Sequence, residues 1–214
     1  MQWLEGLTTV CIATSDFGVT GENASIFLDG AWIKAAAKRF YKQGFFLEDV
    51  TCLDMEEGYV VLYHFDHFDS PGRITVRVIA DREDPTVPSI ADIYQGAEWH
   101  ERECMDFYPV VFKGNPNPSR LLLPDDMEEK PLVKADGKRQ SMLGLLRFTE
   151  LDPCAGDYPL LGQLEERLAA IRAEAEAAEA AAVAEKEAAE AAAVAEKEAA
   201  EAAEGDAAVE DEAE

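Results

Sequence analysis

The sequence predicts an α+β fold, a two-layer domain in which helices cover a small, mainly antiparallel sheet. Two observations predict it. Three stretches between residues 45 and 80 carry the β-branched and aromatic side chains and the turn residues of consecutive short strands. Amphipathic helical stretches flank them on both sides. Helices in these positions pack on the sheet as a second layer.

Chain length and a change in composition predict the domain organisation. The 214 residues suffice for one domain of ordinary size plus an appendage. We assign residues 1–150 to the α+β domain, whose last part is an extended segment. Residues 151–214 form an acidic, Ala/Glu-rich tail that is helical or disordered.

The first helix has a start and a stop signal. Asp29 is placed to cap a helix from Ala31 to Gln43, and Gly44 suits the left-handed residue that ends it. Before it, Ser25–Asp29 alternates weakly and is compatible with a short additional first strand. Residues 1–24 show no clear pattern beyond a turn at Phe17–Gly21.

Three predicted strands follow, at 45–53, 59–66 and 73–80. The last one alternates cleanly, with Ile74, Val76, Val78 and Ala80 inward. The turn 67–72 contains Ser-Pro-Gly, so the last two strands form a hairpin.

The central helix is predicted from Ile90, with Ser89 as its N-cap, up to Tyr108, because Pro109 lacks an N–H and disfavours helix before it. Two four-residue spacings, Glu98–Arg102 and Arg102–Asp106, predict ion pairs along it.

Beyond the helix we expect a short strand or buried turn at 110–112, a rigid loop at 113–119 and an extended apolar segment at 120–124. Residues 129–152 are predicted to form a mostly extended loop that could wrap over a neighbour. This loop is basic on an otherwise acidic protein, through Lys130, Lys134, Lys138, Arg139 and Arg147.

The tail repeats an 11-residue unit, EAAAVAEKEAA, at 179–189 and 190–200. Alanine and glutamate favour helix, but only Val183 and Val194 offer larger apolar surface within the repeats. We therefore expect a solvated single helix that frays into a disordered acidic end at 205–214. The functional alternative is an acidic spacer that repels anions or contacts a basic partner.

Charge and hydropathy exclude several function classes. With 19 basic and 44 acidic residues the formal net charge is −25, which disfavours binding to nucleic acid and to anionic lipid. No apolar run is long enough to span a membrane, and the N-terminus lacks the basic and apolar regions of a signal peptide. We expect a cytoplasmic protein.

Metal and catalytic signatures are weak. The four cysteines, Cys11, Cys52, Cys104 and Cys154, form no short-spaced cluster, so we expect free thiols in a reducing compartment. His64 and His67 in HFDHFD could ligate zinc, although solvated turn residues are the favoured interpretation. Glu101 and Glu103 could do acid–base work, but no nucleophile or phosphate-binding motif accompanies them.

Residues 101–125 carry four runs in close succession: Glu101-Arg102-Glu103, Asp106-Phe107-Tyr108, Phe112-x-Gly114-x-Pro116 and Arg120-Leu-Leu-Leu-Pro124-Asp125. Together they resemble the signature of the respiratory-chain NADH dehydrogenase 30 kDa subunit family, the C subunit of the NADH:quinone oxidoreductase known as complex I. The resemblance is specific over 89–135, loose over about 20–88 and absent from the tail.

The resemblance implies a non-redox subunit of the peripheral arm, on the cytoplasmic face of the inner membrane. Its partners would be the subunits of the quinone site and the terminal iron–sulfur cluster. Iron–sulfur clusters, flavin and quinone are expected in partner subunits, while this chain holds no cofactor. The complex would pass electrons from NADH to quinone and translocate protons. The residues expected to matter for assembly are Glu101, Arg102, Glu103, Asp106, Phe107, Tyr108, Arg120, Pro124 and Asp125.

Three departures keep a second complex open. Pro109-Val110 stands where the family usually has Gly-Ile, Asn115 where it has His, and Asn117-Pro118-Ser119 where it has Asp and basic residues. The family also includes subunits of membrane-bound, energy-converting nickel–iron hydrogenases, which is the alternative assignment.

Overall fold

The computed structural model describes residues 2–4, 6–7, 10–152 and 159–210, without the side chains of 2, 10 and 187–210. The chain divides into two compact units, residues 1–169 and 170–214. These units follow from internal packing, whereas the boundary after residue 150 was inferred from composition and stays a prediction.

The first unit contains eight described strands and five described helices, the last of which runs on into the second unit. The strands are β1 Val10–Thr14, β2 Ala24–Leu28, β3 Phe46–Met55, β4 Gly58–Asp66, β5 Ile74–Ala80, β6 Thr86–Pro88, β7 Val111–Lys113 and β8 Glu150–Leu151. The helices are α1 Phe17–Thr20, α2 Ile33–Lys42, α3 Ala97–Phe107, α4 Met142–Leu145 and α5 Leu161–Glu210.

Six strands form one sheet in the order β3-β4-β5-β2-β1-β8. All neighbours are antiparallel except β2 and β5, which run parallel. In β3 the register shifts between Leu47 and Asp49, so Glu48 is an extra residue relative to β4. Strands β6 and β7 pair separately, in parallel. The predicted α+β fold with a mainly antiparallel sheet is confirmed.

The signals around α2 behave as predicted. The Asp29 carboxylate accepts a hydrogen bond from the Ala31 N–H at 2.8 Å and opens a 3-10 turn, Gly30–Trp32, that leads into the helix. After it, Gly44 has a φ of +85°, a left-handed conformation that favours glycine.

The core lies between one face of the sheet and the helices. Phe40 of α2 stacks on Phe65 of β4, with 4.3 Å between ring centroids, and Trp3 meets the Phe40 ring edge-on. The inward residues predicted for β5 are all buried in this core, and Cys104 places α3 in it as well. On the opposite face of the sheet Phe27 and Val60 are also fully buried.

The central helix begins later than predicted, at Ala97 and not at Ile90. Residues 90–96 form turns, in which the Tyr94 N–H donates to the Ile90 carbonyl at 2.9 Å. The Ser89 hydroxyl accepts from the Ala91 N–H, as a cap would, but donates to a carboxylate twelve residues further on. This long-range bond replaces the predicted first turns of the helix. The predicted end before Pro109 is confirmed.

The segment after residue 129 is mostly loop, as predicted, but it also contains α4 and β8. Strand β8 extends the sheet by pairing Leu151 with Ala13 and Glu150 with Thr14. The tail forms α5, which continues through residues 205–210, where the sequence predicted disorder. Within the described part of the chain, no helix is both long and apolar enough to cross a bilayer.

Replacing Phe40 by alanine is expected to destabilise the full chain by about 3–5 kcal/mol, because the change opens a cavity between α2 and the sheet. Chemical denaturation followed by circular dichroism measures the change. Lys38→Ala, at an exposed position of the same helix, serves as control and should cost less than about 0.5 kcal/mol. Equal effects of the two substitutions would contradict this description of the core.

Candidate functional site

The site is built from α3 and the chain that returns along it, residues 113–124. Gly114, with a φ of +95°, turns the chain back immediately after β7. Three charged side chains of α3, those of Glu101, Arg102 and Asp106, then bind backbone or side-chain groups of the preceding turn and the returning loop. We call this arrangement the α3 clasp.

Glu101 is the buried centre of the α3 clasp. Its side chain is completely shielded from solvent. Oε2 accepts from the Ser89 hydroxyl at 2.6 Å and from the Asn115 amide at 2.8 Å, and Oε1 accepts from the Ile90 N–H at 2.9 Å. Burial raises the pKa of Glu101, and these three donors oppose that shift.

Asp106 binds the loop through its backbone. One oxygen, Oδ2, accepts from the consecutive N–H groups of residues 121, 122 and 123 at 3.0, 2.7 and 3.1 Å. Although burial alone would raise the pKa of Asp106, the three N–H donors and the nearby charge of Arg120 lower it below its ordinary value.

Arg102 lies between these two carboxylates along the helix. Its Nε donates to the Ser119 carbonyl at 2.9 Å and its Nη2 to the Arg120 carbonyl at 2.8 Å. Nη1 lies 3.9 Å from Glu98, so the first predicted ion pair is present. The second, with Asp106, is not among the ion pairs of the described residues, since the loop N–H groups occupy Asp106.

The other predicted site residues differ in exposure. Tyr108 is buried and meets the Tyr59 ring edge-on, and burial raises its pKa to about 12. Phe107 and Arg120 are half-buried. The exposed members are Glu103, Pro124 and Asp125.

Two partners of Glu101 were not recognised in the sequence. Ser89 was assigned only as a helix cap, and Asn115 only as a departure from the family pattern. A short polar residue next to a buried segment is the one signal that could have pointed to them. The side chain at position 115 is buried and donates also to the Glu98 carbonyl, at 3.3 Å, so it closes the loop on the helix.

The basic segment after residue 129 is partly neutralised within the fold. Asp54 of β3 is buried and lies 2.8 Å from Arg82 and 3.1 Å from Arg139. It also accepts from the Lys134 N–H at 2.8 Å. Burial alone would raise the pKa of Asp54, but these donors lower it. The sequence carried no signal for this pairing.

The remaining candidate ligands do not assemble into a metal site. His64 Nδ1 lies 2.6 Å from Asp49, while His67 Nδ1 accepts two backbone N–H groups of its own turn. Among the described residues, no group of three or more His, Cys, Asp or Glu side chains could hold a metal ion. Cys52 and Cys104 are buried free thiols, but Cys11 is disulfide-bonded, so the prediction of a free thiol is wrong there.

Fold and site together define a class of protein: a small α+β domain whose charged signature residues hold its own loop on a central helix. The model of the respiratory-chain NADH dehydrogenase 30 kDa subunit family matches residues 28–140, more than half of the chain and all of the α3 clasp. The chain belongs to this family.

Individual relatives agree with this assignment. The NADH-quinone oxidoreductase C subunit of Chloroherpeton thalassium is 45% identical over 75 residues, 35% of this chain and 31% of that protein. The corresponding C subunit of Roseiflexus sp. is 38% identical over 92 residues, 42% of this chain and 53% of that protein. The chain thus spans 31% of the length of the first of these curated relatives and 53% of the second.

Among solved structures, a trypsin-resistant fragment of Nqo5 is similar. It is 28% identical in sequence, with a TM-score of 0.41, over 44% of this chain and 81% of the fragment.

Replacing Asp106 by asparagine is expected to destabilise the chain by about 1–3 kcal/mol at pH 7, since the amide accepts hydrogen bonds without a charge. The folded-state pKa of Asp106 lies below its unfolded value of about 3.9, so its contribution is present above that pH and is lost as the pH falls through the folded pKa. The difference between the denaturation midpoints of the two proteins, measured between pH 3 and 7, should therefore narrow once the pH falls below about 3.9.

The matched control is Asp126→Asn, at an exposed carboxylate beyond the loop. It should leave stability within about 0.5 kcal/mol at every pH. A constant difference between Asp106→Asn and the unsubstituted chain from pH 7 to pH 3 would contradict the assigned charge-assisted bonds.

Proposed function

We propose that this chain is a structural subunit, without a redox centre of its own, of the peripheral arm of a complex I type NADH:quinone oxidoreductase. The complex transfers electrons from NADH to a quinone and couples this to proton translocation. Flavin, iron–sulfur clusters and the quinone site belong to partner subunits. The chain lies on the cytoplasmic face of the inner membrane and meets the membrane only through the complex.

The observation that carries this proposal is that the charged signature residues form hydrogen bonds within the chain itself. The turn before α3 and the returning loop form hydrogen bonds with Glu101, Arg102 and Asp106. These charged side chains therefore hold the turn and the loop in place on the helix. A catalytic acid or base must reach a substrate proton, whereas these groups already have fixed protein partners. A rigid loop on a rigid helix suits a protein whose task is to hold neighbours in register.

Exposed side chains around the α3 clasp support a protein-binding surface. Trp99 is 62% exposed on α3, and the Arg102 guanidinium carbon lies 5.9 Å from its ring centroid. Leu122, on the clasped loop, is 60% exposed. Aromatic side chains and arginine are enriched at protein interfaces. We extend the proposal to the remaining signature positions as assembly-critical residues, namely Glu103, Phe107, Tyr108, Arg120, Pro124 and Asp125.

Replacing Arg102 by alanine in the native organism is expected to lower the NADH:quinone reductase activity of membranes several-fold, because the loop loses its guanidinium bonds. The amount of assembled complex, measured on native gels, should fall in the same proportion, and activity per assembled complex should stay constant. Arg147→Ala is the control, since the side chain of this exposed arginine donates, among the described residues, only to carbonyls of its own segment.

Normal assembly with slow turnover in Arg102→Ala would overturn the scaffold proposal and favour a catalytic role. Mass identification of the co-purified subunits distinguishes the parent complex. NADH-binding and quinone-site subunits support the proposal, whereas nickel–iron hydrogenase subunits would assign the chain to the energy-converting hydrogenases.

A further inference from the structure

A cavity of about 470 Å³ lies beside the C-terminal end of α3, next to the α3 clasp. Apolar and aromatic groups form much of its wall, among them Tyr108, Pro109, Val111 and Pro118. Two cations, Arg120 and Lys130, complete it. A pocket with an apolar wall and a few convergent polar groups is the usual form of a recognition site.

Arg120 has an unused donor. Its backbone carbonyl is held by Arg102, so the residue is anchored at its main chain. Its side-chain Nη1 is nevertheless buried and has no hydrogen-bond partner within the part of the chain that the structure describes. A buried donor without a partner is costly, and an incoming acceptor removes that cost.

Lys130 faces the same cavity and donates to the Met105 carbonyl. Burial, and secondly the charge of Arg120, lower the pKa of Lys130, while Asp106 opposes the shift. The two cations therefore destabilise one another in the free chain.

Asp106 is the acidic group in the cavity wall, and its Oδ2 already accepts three backbone N–H groups. The cavity thus holds two cations against one engaged carboxylate. It is a positively charged pocket on a chain whose formal net charge is −25.

We propose that this cavity receives the carboxylate of an aspartate or glutamate side chain from a neighbouring subunit. A carboxylate matches the forked donors of Arg120 and can also accept from Lys130, while its aliphatic stem fits against Val111, which is 52% exposed. This inference rests on the proposed function, because it needs a partner chain. A carboxylate of this chain's own acidic tail is the competing occupant that the experiment must separate.

Zero-length carbodiimide coupling tests the proposal, since it joins an amine to a carboxylate only when the two are in direct contact. The native complex is treated with carbodiimide, digested, and searched by mass spectrometry for isopeptides of Lys130. The expected product joins Lys130 to an aspartate or glutamate of another subunit. Lys130→Arg keeps the charge and should abolish this product without loss of assembly. The exposed Lys138 reports non-specific coupling.

A second variant measures the contribution of Arg120. Arg120→Gln removes the charge, and we expect the chain to dissociate from the complex at least about ten-fold faster in a salt wash. The denaturation midpoint of the free chain should stay unchanged. Nη1 has no described partner to lose, and the lost support of the Asp106 carboxylate is offset by the lost repulsion of Lys130. A merely structural role would instead destabilise the free chain. Arg147→Gln is the matched control and should leave dissociation unchanged.

Failure of this inference and failure of the proposed function give different results. If oxidoreductase subunits co-purify but Lys130 couples only to Asp106, only to the tail or to nothing, the cavity proposal is overturned and the scaffold role stands. If no such subunits co-purify but Lys130 couples to a carboxylate of an identified different polypeptide, the scaffold assignment is overturned and the cavity proposal stands.

Discussion

A buried carboxylate, that of Glu101, is the constraint on which the described site depends. A carboxylate removed from water is strongly destabilising unless donors surround it, so its three hydrogen-bond donors must be delivered by the fold. One comes from the backbone of the turn before α3, one from Ser89 and one from Asn115 after β7. If the turn before α3 or the loop after β7 moves, Glu101 loses donors and the helix loses its position. The three hydrogen bonds therefore join residues 89–115 into one rigid arrangement.

Two carboxylates on the same helix respond to their surroundings in opposite directions. Glu101 and Asp106 each accept three hydrogen bonds, yet burial dominates for the first and raises its pKa, while donors and Arg120 dominate for the second and lower its pKa. Asp92 adds a like charge near Glu101, whereas Asp106 faces cations. The number of hydrogen bonds alone therefore does not decide whether the pKa of a carboxylate rises or falls. The extent of burial and the neighbouring charges decide it.

Local patterns predicted the parts of the fold that local physics determines. The alternation in β5 and the cap and stop signals of α2 act within a few residues, and the structure agrees with them. The start of α3 was misplaced because the hydroxyl of Ser89 has its decisive partner at Glu101, on the helix itself. The pairing of Arg102 with Asp106 was wrong because spacing along a helix does not show that backbone N–H groups of a returning loop compete for the carboxylate.

The same limit applies to the rest of the site and to the sheet edge. Strand β8 has two residues, too few for a side-chain pattern, and exists through its pairing with β1. The ion pair between buried Asp54 and half-buried Arg139 joins residues 85 positions apart, which no spacing rule links. The sequence did show which charged residues belong to the signature. Their hydrogen-bond partners are mostly main-chain atoms, which every residue carries and which no sequence pattern marks.

The extra residue in β3 lies in a strand whose outer edge is not paired within its sheet. β3 ends the six-stranded sheet and, in that sheet, pairs with β4 only, so its outer edge presents main-chain groups to any passing strand. The bulge at Glu48 interrupts that edge, and the ion pair of Glu48 with Arg73 places charge at the interruption. Natural edge strands use such bulges and charges to resist edge-to-edge association. The outer edge of β3 is thereby unsuited to pairing with a second exposed strand.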